Sequence, residues 1–422
     1  MRLKTEKRMN QLKTFDNGLK LAVVEMKGLL SVSCGILVKT GSVNESAEEN
    51  GISHFIEHTL FKGTESRSAY EISDFIDRIG GQINAYTSKQ MTCYYTHTTK
   101  EHLEDSLDVL SDIFFNSVFD KTELGKEKDV IIEEINMSED MPEDLCLDLL
   151  SESYFGREGL GQTILGSAKN VRSFNREKVF SYMDRYYTAD NVVIAVAGNV
   201  TANRAEKLVG KYFAEKFRRI KSAPQKNTPA VKPVSLKKTK KIEQSHIGIC
   251  LPAISLNDCR RDALTIANIV LGGGMSSRLF QKIREDLGLC YSIYSYLSCY
   301  RETGVVEVYA GVNTENRDVA FSAIMDEIER FRKDGITEQE FLRGKEQLKS
   351  SLILGQESVS GQMQLYGRYA LMNGELFDFN ARLKSIESIV PEDVSAVIKA
   401  FFDTEKASTA TVGPKRVPLK RL

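Results

Sequence analysis

Cysteine patterning, long apolar runs and excess charge are all missing from this 422-residue chain, and each absence removes a class of protein. The seven cysteines (Cys34, Cys93, Cys146, Cys250, Cys259, Cys290, Cys299) are odd in number and scattered, with no Cys-x-x-Cys pair. That pattern excludes a disulfide framework and fits reduced thiols in the cytoplasm, with an organellar matrix as the weaker alternative. No apolar run approaches the roughly 18 residues that a membrane-spanning helix needs, so no membrane is expected as a partner. Lys+Arg 57 against Asp+Glu 58 leave a net charge of −1, which gives no reason to expect nucleic acid as a partner either. Residues 1–10 carry Arg2, Lys4, Lys7 and Arg8, but Glu6 interrupts them and no apolar stretch follows, which reads against a secretory signal. The basic end, residues 415–422, reads as a solvated tail. What remains is an ordinary globular composition, 41% hydrophobic and 27% charged, over a length that suits two or three domains.

Histidine is scarce too, and its placement is informative. Of only five (His54, His58, His97, His102, His246), two lie four residues apart with a glutamate between them, in Gly51-Ile52-Ser53-His54-Phe55-Ile56-Glu57-His58-Thr59-Leu60-Phe61-Lys62-Gly63-Thr64. On a helix each residue turns about 100°, so His54 and His58 share a face one turn apart with Glu57 beside them. That is a two-point grip for a metal with a carboxylate in reach, in the inverted order His-x-x-Glu-His. The plainer alternative is two histidines on an ordinary helix face. Two imidazoles need a third protein ligand to make a catalytic zinc site with one open position. The stretch 121–137 offers one, because Glu127 and Glu134 are seven apart and share a helix face, whereas Glu133 points elsewhere. Read alone, that stretch is a solvated acidic helix.

Around these helices the pattern alternates. Residues 13–24 read as strand, Asn-Gly turn, strand, and residues 32–40 as a further strand. Residues 70–79 read as a helix, then 82–87 and 92–98 as a strand pair beside the site. Helices follow at 101–116, 121–137 and 177–187, then a buried strand at 191–199. Residues 219–241 hold three of the eight prolines and a run of lysines, which places a domain linker there, between domains at 1–218 and 242–422. After the linker the order repeats: strand 245–251 answers 32–40, helix 262–271 answers the His54 helix, strand 304–311 answers 92–98, and helix 336–352 answers the Glu127 helix. With Leu60 set opposite Leu271, the positions of His54, Glu57 and His58 fall to Thr265, Asn268 and Ile269. The second copy therefore lacks the metal ligands. It carries Gly272-Gly273-Gly274 instead, but no Gly-Lys-Ser/Thr follows to make a phosphate loop.

With these pieces assembled, the sequence resembles the pitrilysin and insulysin family of zinc peptidases, most closely the two-domain branch that includes mitochondrial processing peptidase and its bacterial relatives. The likeness rests on His54 to His58 with Phe61-Lys62-Gly63-Thr64, the strand Asn84-Ala85-Tyr86-Thr87, the Glu127 to Glu134 helix, and the stretches 186–200 and 272–291, all in family order. It implies an α+β fold of two homologous domains from an internal duplication, each a mainly antiparallel sheet packed with helices, together half of a clamshell. It also implies one zinc ion per chain on His54, His58 and Glu134, Glu57 as catalytic base and Glu127 as supporting carboxylate. Arg284 and Tyr291 match the pair that the second domain gives to the substrate cleft, and Asn84, Ala85, Tyr86 and Thr87 form an edge to which an extended peptide adds. The implied activity is zinc-dependent endopeptidase action on extended peptides inside an enclosed chamber, by a homodimer with a composite active site. Two alternatives remain: a non-catalytic peptide-binding or scaffold subunit, and a presequence-processing subunit needing an unlike partner chain.

Overall fold

The computed structural model describes residues 10–217, 221–223 and 233–414. The N-terminal basic residues as far as position 9, the tail 415–422 and much of the expected linker lie outside the described residues.

Two sheets carry the molecule. The first contains β1 (Gln11–Thr14), β2 (Lys20–Glu25), β3 (Ser31–Val38), β4 (Gln82–Thr87), β5 (Thr92–Thr99) and β6 (Val192–Gly198), in the order β1-β2-β6-β3-β5-β4. The second contains β7 (Ser235–Thr239), β8 (Gln244–Ala253), β9 (Cys290–Cys299), β10 (Gly304–Asn313) and β11 (Ser408–Gly413), in the order β7-β11-β8-β10-β9. Once β1 is set aside the two orders are the same, strand for strand. In each sheet one pair is parallel, β2 with β6 and β7 with β11, and the other pairings are antiparallel. The internal duplication and the mainly antiparallel α+β class expected from the sequence are both present.

Composition explains the central strands. β6 is a run of β-branched and small residues (Val-Val-Ile-Ala-Val-Ala-Gly) and is buried throughout, as a strand covered on both faces must be. One face of the first sheet meets the His54 helix (Ile52–Thr59) through Ile52, Phe55 and Ile56, all essentially inaccessible. The other face is covered by the helix Val359–Asn373, which packs on β2, β3 and β6. In the second unit the helix Pro142–Phe155 does the same for β8 and β11.

The two compact units are therefore not the two halves of the sequence. One takes the chain as far as Ile135, then from Thr163 to the linker, then Ile353–Asp378; the other takes Asn136–Gln162, the stretch from the linker to Leu352, and everything from Phe379 on. Within the linker expected at 219–241, Ser235–Thr239 instead forms strand β7, paired with β11. The boundaries 1–218 and 242–422 differ from the units in two segments, each carrying a helix that covers a sheet built mostly from the other half. Helical periodicity states that a helix has an apolar face; it does not state which sheet that face covers.

A candidate metal centre

The His54 helix begins where it does because its first amides are satisfied from a distance. Glu45, nearly inaccessible, accepts hydrogen bonds from the backbone N–H of Gly51 (2.8 Å) and of Ser53 (2.8 Å), and from Asn50 Nδ2 (3.0 Å). Burial raises the Glu45 carboxyl above its ordinary pKa despite these bonds. Gly51 sits at φ 99°, and a Cβ there would lie 2.6 Å from the Leu165 carbonyl oxygen, so the position accepts only glycine. The long helix Lys121–Asp140 turns Leu124, Ile131, Ile132 and Ile135 inward. Its Glu127 is buried and Glu134 half-buried, whereas Glu133 is exposed.

Between these helices three candidate donor atoms converge. His54 Nε2 lies 3.6 Å and His58 Nε2 3.5 Å from the same Glu134 oxygen, Oε2. Donor atoms of the three residues all lie within 4.8 Å of one another, and among the described residues no other such group of three occurs. Two neutral imidazoles and a carboxylate are a suitable donor set for zinc. Burial first, and the neighbouring His58 second, hold His54 down to about 4, so it presents the neutral imidazole a metal requires. For His58, burial lowers the pKa, but the hydrogen bond to Glu127 and the nearby Glu134 and Glu57 outweigh it and raise it. The residues present fit a bound divalent cation.

Glu57 stands beside this group. Its Oε2 accepts a hydrogen bond from Thr87 Oγ1 at 2.5 Å, and burial raises its carboxyl against that bond and against His58. Glu127 takes up the rear of His58: Nδ1 lies 3.2 Å from Glu127 Oε2, and Lys62 Nζ lies 2.6 Å from Glu127 Oε1. Burial would raise Glu127, but the bonds from His58 and Lys62 win and hold it below its ordinary range.

Asn84, Ala85, Tyr86 and Thr87 lie on β4, which among the described residues pairs with β5 alone and so forms the sheet edge. Arg284 and Tyr291 lie in the other unit and touch each other, the guanidinium carbon 5.1 Å from the Tyr291 ring centre and 4.6 Å from that of Phe280. Tyr291 is 78% exposed at the start of β9, not half-buried like an ordinary strand tyrosine. In the duplicate helix, Arg261–Gly272, Thr265 bonds back to the Arg261 carbonyl (2.8 Å) and Asn268 holds that of Ser295 (3.3 Å). Two contacts escaped the sequence reading. Thr87 was read only as part of the substrate edge, and Lys62 only as a motif residue; its place four residues after His58 was the available signal, hidden because the helix ends at Thr59.

Residues 22–168 match the model of the insulinase family, peptidase family M16, and residues 173–348 that of the peptidase M16 inactive domain. The chain is 40% identical over 404 residues to an uncharacterized zinc protease of Bacillus subtilis, covering 95% of this chain and 97% of that protein. The chain belongs to peptidase family M16. A further M16 relative, an uncharacterized zinc protease of Streptomyces coelicolor, is 34% identical across 95% of this chain and 89% of its own length. The fold matches the crystal structure of a protease from Helicobacter pylori with TM-score 0.90 at 21% identity, covering 96% of this chain and all (100%) of that one. It also matches that of a peptidase M16 inactive domain from Pseudomonas fluorescens, again with TM-score 0.90, at 19% identity over 97% and 98% of the two chains. Within this M16 chain the insulinase match contains His54, Glu57, His58, Glu127 and Glu134, and the inactive-domain match contains Arg284 and Tyr291.

Proposed function

We propose that this M16 chain is a zinc-dependent endopeptidase that hydrolyses extended peptides or unfolded segments, using one zinc ion per chain on His54, His58 and Glu134. The convergence of His54 Nε2, His58 Nε2 and Glu134 Oε2, with the Glu57 carboxylate alongside, supports this reading most directly. Bound zinc supplies Lewis acidity toward the scissile carbonyl and acidifies the attacking water. Glu57 takes the water's proton and returns it to the leaving amine. Thr87 occupies one Glu57 oxygen and leaves the other for that proton. The substrate adds to the β4 edge as a further strand, gaining main-chain hydrogen bonds that depend little on its sequence. In a homodimer with a composite, enclosed active site, Arg284 holds a substrate carbonyl and Tyr291 donates to the developing oxyanion. Seven cysteines without a disulfide among them suit a cytoplasmic enzyme.

The test compares wild type with Glu57→Gln for bound zinc, for cleavage of an unstructured peptide of about twenty to thirty residues, long enough to bind extended, and for mass in solution. Stoichiometric zinc in both proteins, with cleavage reduced by about 10²–10⁴ in the variant, is the expected result. Both should sediment at twice the chain mass. A wild type that binds no zinc and leaves the peptide intact when zinc is added sinks the catalytic reading in favour of a peptide-binding subunit. A monomer that cleaves at full rate sinks the composite site alone.

A further inference from the structure

The two histidines of the metal centre are not supported alike. His54 Nδ1 is buried without a hydrogen-bond partner among the described residues, so no side chain fixes that ring from behind. His58 Nδ1 instead faces Glu127 Oε2, and Glu127 is in turn engaged through Oε1 by Lys62. Glu127 is 5% exposed, which leaves its oxygens little access to water, and Lys62 makes the shortest contact in the group at 2.6 Å. Lys62 is itself held by its loop. Thr64 Oγ1 and Ser66 Oγ each donate to Asp112 Oδ2 at 2.8 Å, and Arg67 bridges Asp112 and Asp108 at 2.6 and 2.5 Å. The bend that carries Lys62 back toward the site is thereby tied to the helix Leu103–Asn116.

We infer that Lys62 is a positioning residue for the metal centre: by occupying Glu127 Oε1 it leaves Oε2 to accept from His58 Nδ1–H, which fixes the His58 tautomer with its Nε2 lone pair toward His54 and Glu134. A metal-ligating imidazole needs one nitrogen free of hydrogen, and the bond made by its other nitrogen decides which. Without Lys62, both Glu127 oxygens compete for the same imidazole N–H, and the carboxylate is free to swing toward the metal position. The ring then samples both tautomers, and only one of them can ligate through Nε2. This inference rests on the zinc assignment above and concerns metal affinity, not the chemical step.

The experiment measures zinc affinity of the full-length protein directly, by competition with a chromophoric chelator, for wild type, Lys62→Met and Lys62→Arg, alongside thermal melting of each metal-free protein. Lys62→Met should bind zinc about tenfold to a hundredfold more weakly, the usual cost of removing an outer-shell partner. Lys62→Arg, which keeps the charge and can reach a carboxylate oxygen, should retain most of the affinity. Cobalt substituted for zinc should show an altered visible spectrum in Lys62→Met only. Equal zinc affinity in Lys62→Met and wild type overturns the inference, and so does a loss in Lys62→Met that Lys62→Arg shares in full. A wild type that binds no zinc overturns the metal assignment as well and is recognised before any variant is compared.

Discussion

At the scale of single residues, spacing put His54 with His58 and Glu127 with Glu134 on shared helix faces, and the family resemblance then singled out Glu134 as the candidate third ligand and Glu127 as its supporting carboxylate. The contact of Lys62, a loop residue, had no such period, and Thr87 on β4 was assigned only to the substrate edge, so neither side-chain bond was foreseen. The second unit offers a residue-scale interaction that spacing does announce. Thr337 and Glu340 form a reciprocal cap at the start of the helix Glu338–Leu354: Glu340 N–H donates to Thr337 Oγ1 at 3.2 Å and Thr337 N–H to Glu340 Oε2 at 2.8 Å. Arg278 then grips the same carboxylate with two bonds of 2.7 and 2.8 Å, a fork that only the fold could bring there. Burial opposes ionisation of Glu340, but the Arg278 and Thr337 bonds outweigh it and lower the pKa from 4.5 to about 2. With the folded pKa below the unfolded one, this stabilisation is complete above pH 4.5 and disappears as pH falls toward 2. The pair is mostly shielded, so the contribution is on the order of 2 kcal/mol after allowance for residual solvent screening. The melting temperature of wild type should fall more steeply than that of Glu340→Gln between neutral pH and pH 3. Parallel curves would show that Arg278 contributes nothing beyond a neutral hydrogen bond.

Among the elements, most strands and the two helices that carry the candidate ligands were legible, because alternation and turn-by-turn periodicity each belong to one element, whereas β7, β9 and β11 were not read as strands. The helices Pro142–Phe155 and Val359–Asn373 were not assigned, and close approach explains part of the difficulty. Val359–Asn373 meets its sheet through Gly367, where a Cβ would lie 2.7 Å from Leu37 Cδ1 and 2.8 Å from Ala195 Cβ. In the second unit Gly248 of β8 gives the equivalent room to Leu150, 3.1 Å from where its Cβ would be. A glycine inside a helix pattern weakens the helical reading, yet here it is what lets helix and sheet pack. Gly367→Ala should therefore destabilise: overpacking costs about 1–3 kcal/mol, more than the roughly 1 kcal/mol gained in helix propensity. Gly125→Ala, in the exposed part of the helix Lys121–Asp140 with nothing within 4 Å of the new methyl, should do the opposite and gain about 0.5–1 kcal/mol. Urea midpoints of both variants decide the matter. Equal shifts of the same sign would mean that propensity, not contact, governs Gly367.

For the whole molecule the chain order matters more than any element. The sequence could not show that segments 136–162 and 353–378 serve the opposite units, since a helix's sequence neighbours do not determine which sheet it covers. That exchange has a thermodynamic consequence. The helix Val359–Asn373 buries Val359, Met363, Tyr366 and Leu371 in the first unit, each 7% exposed or less. At about 1.5–3 kcal/mol per large apolar side chain these four contribute about 6 to 12 kcal/mol. A whole domain is stable by only about 5–15 kcal/mol. A fragment of residues 1–226 lacks this helix and leaves one face of β2, β3 and β6 bare, so it should not fold on its own. The complementary fragment 227–422 lacks the helix Pro142–Phe155, with its buried Cys146, Leu150 and Phe155. Each fragment expressed alone should aggregate or show only a broad, non-cooperative thermal transition, whereas co-expression should return a soluble complex. Each then supplies the helix the other lacks. If residues 1–226 alone gave a monomer that melts cooperatively near the full-length temperature, the exchanged helices would be accessory, and the sequence halves would be the true folding units.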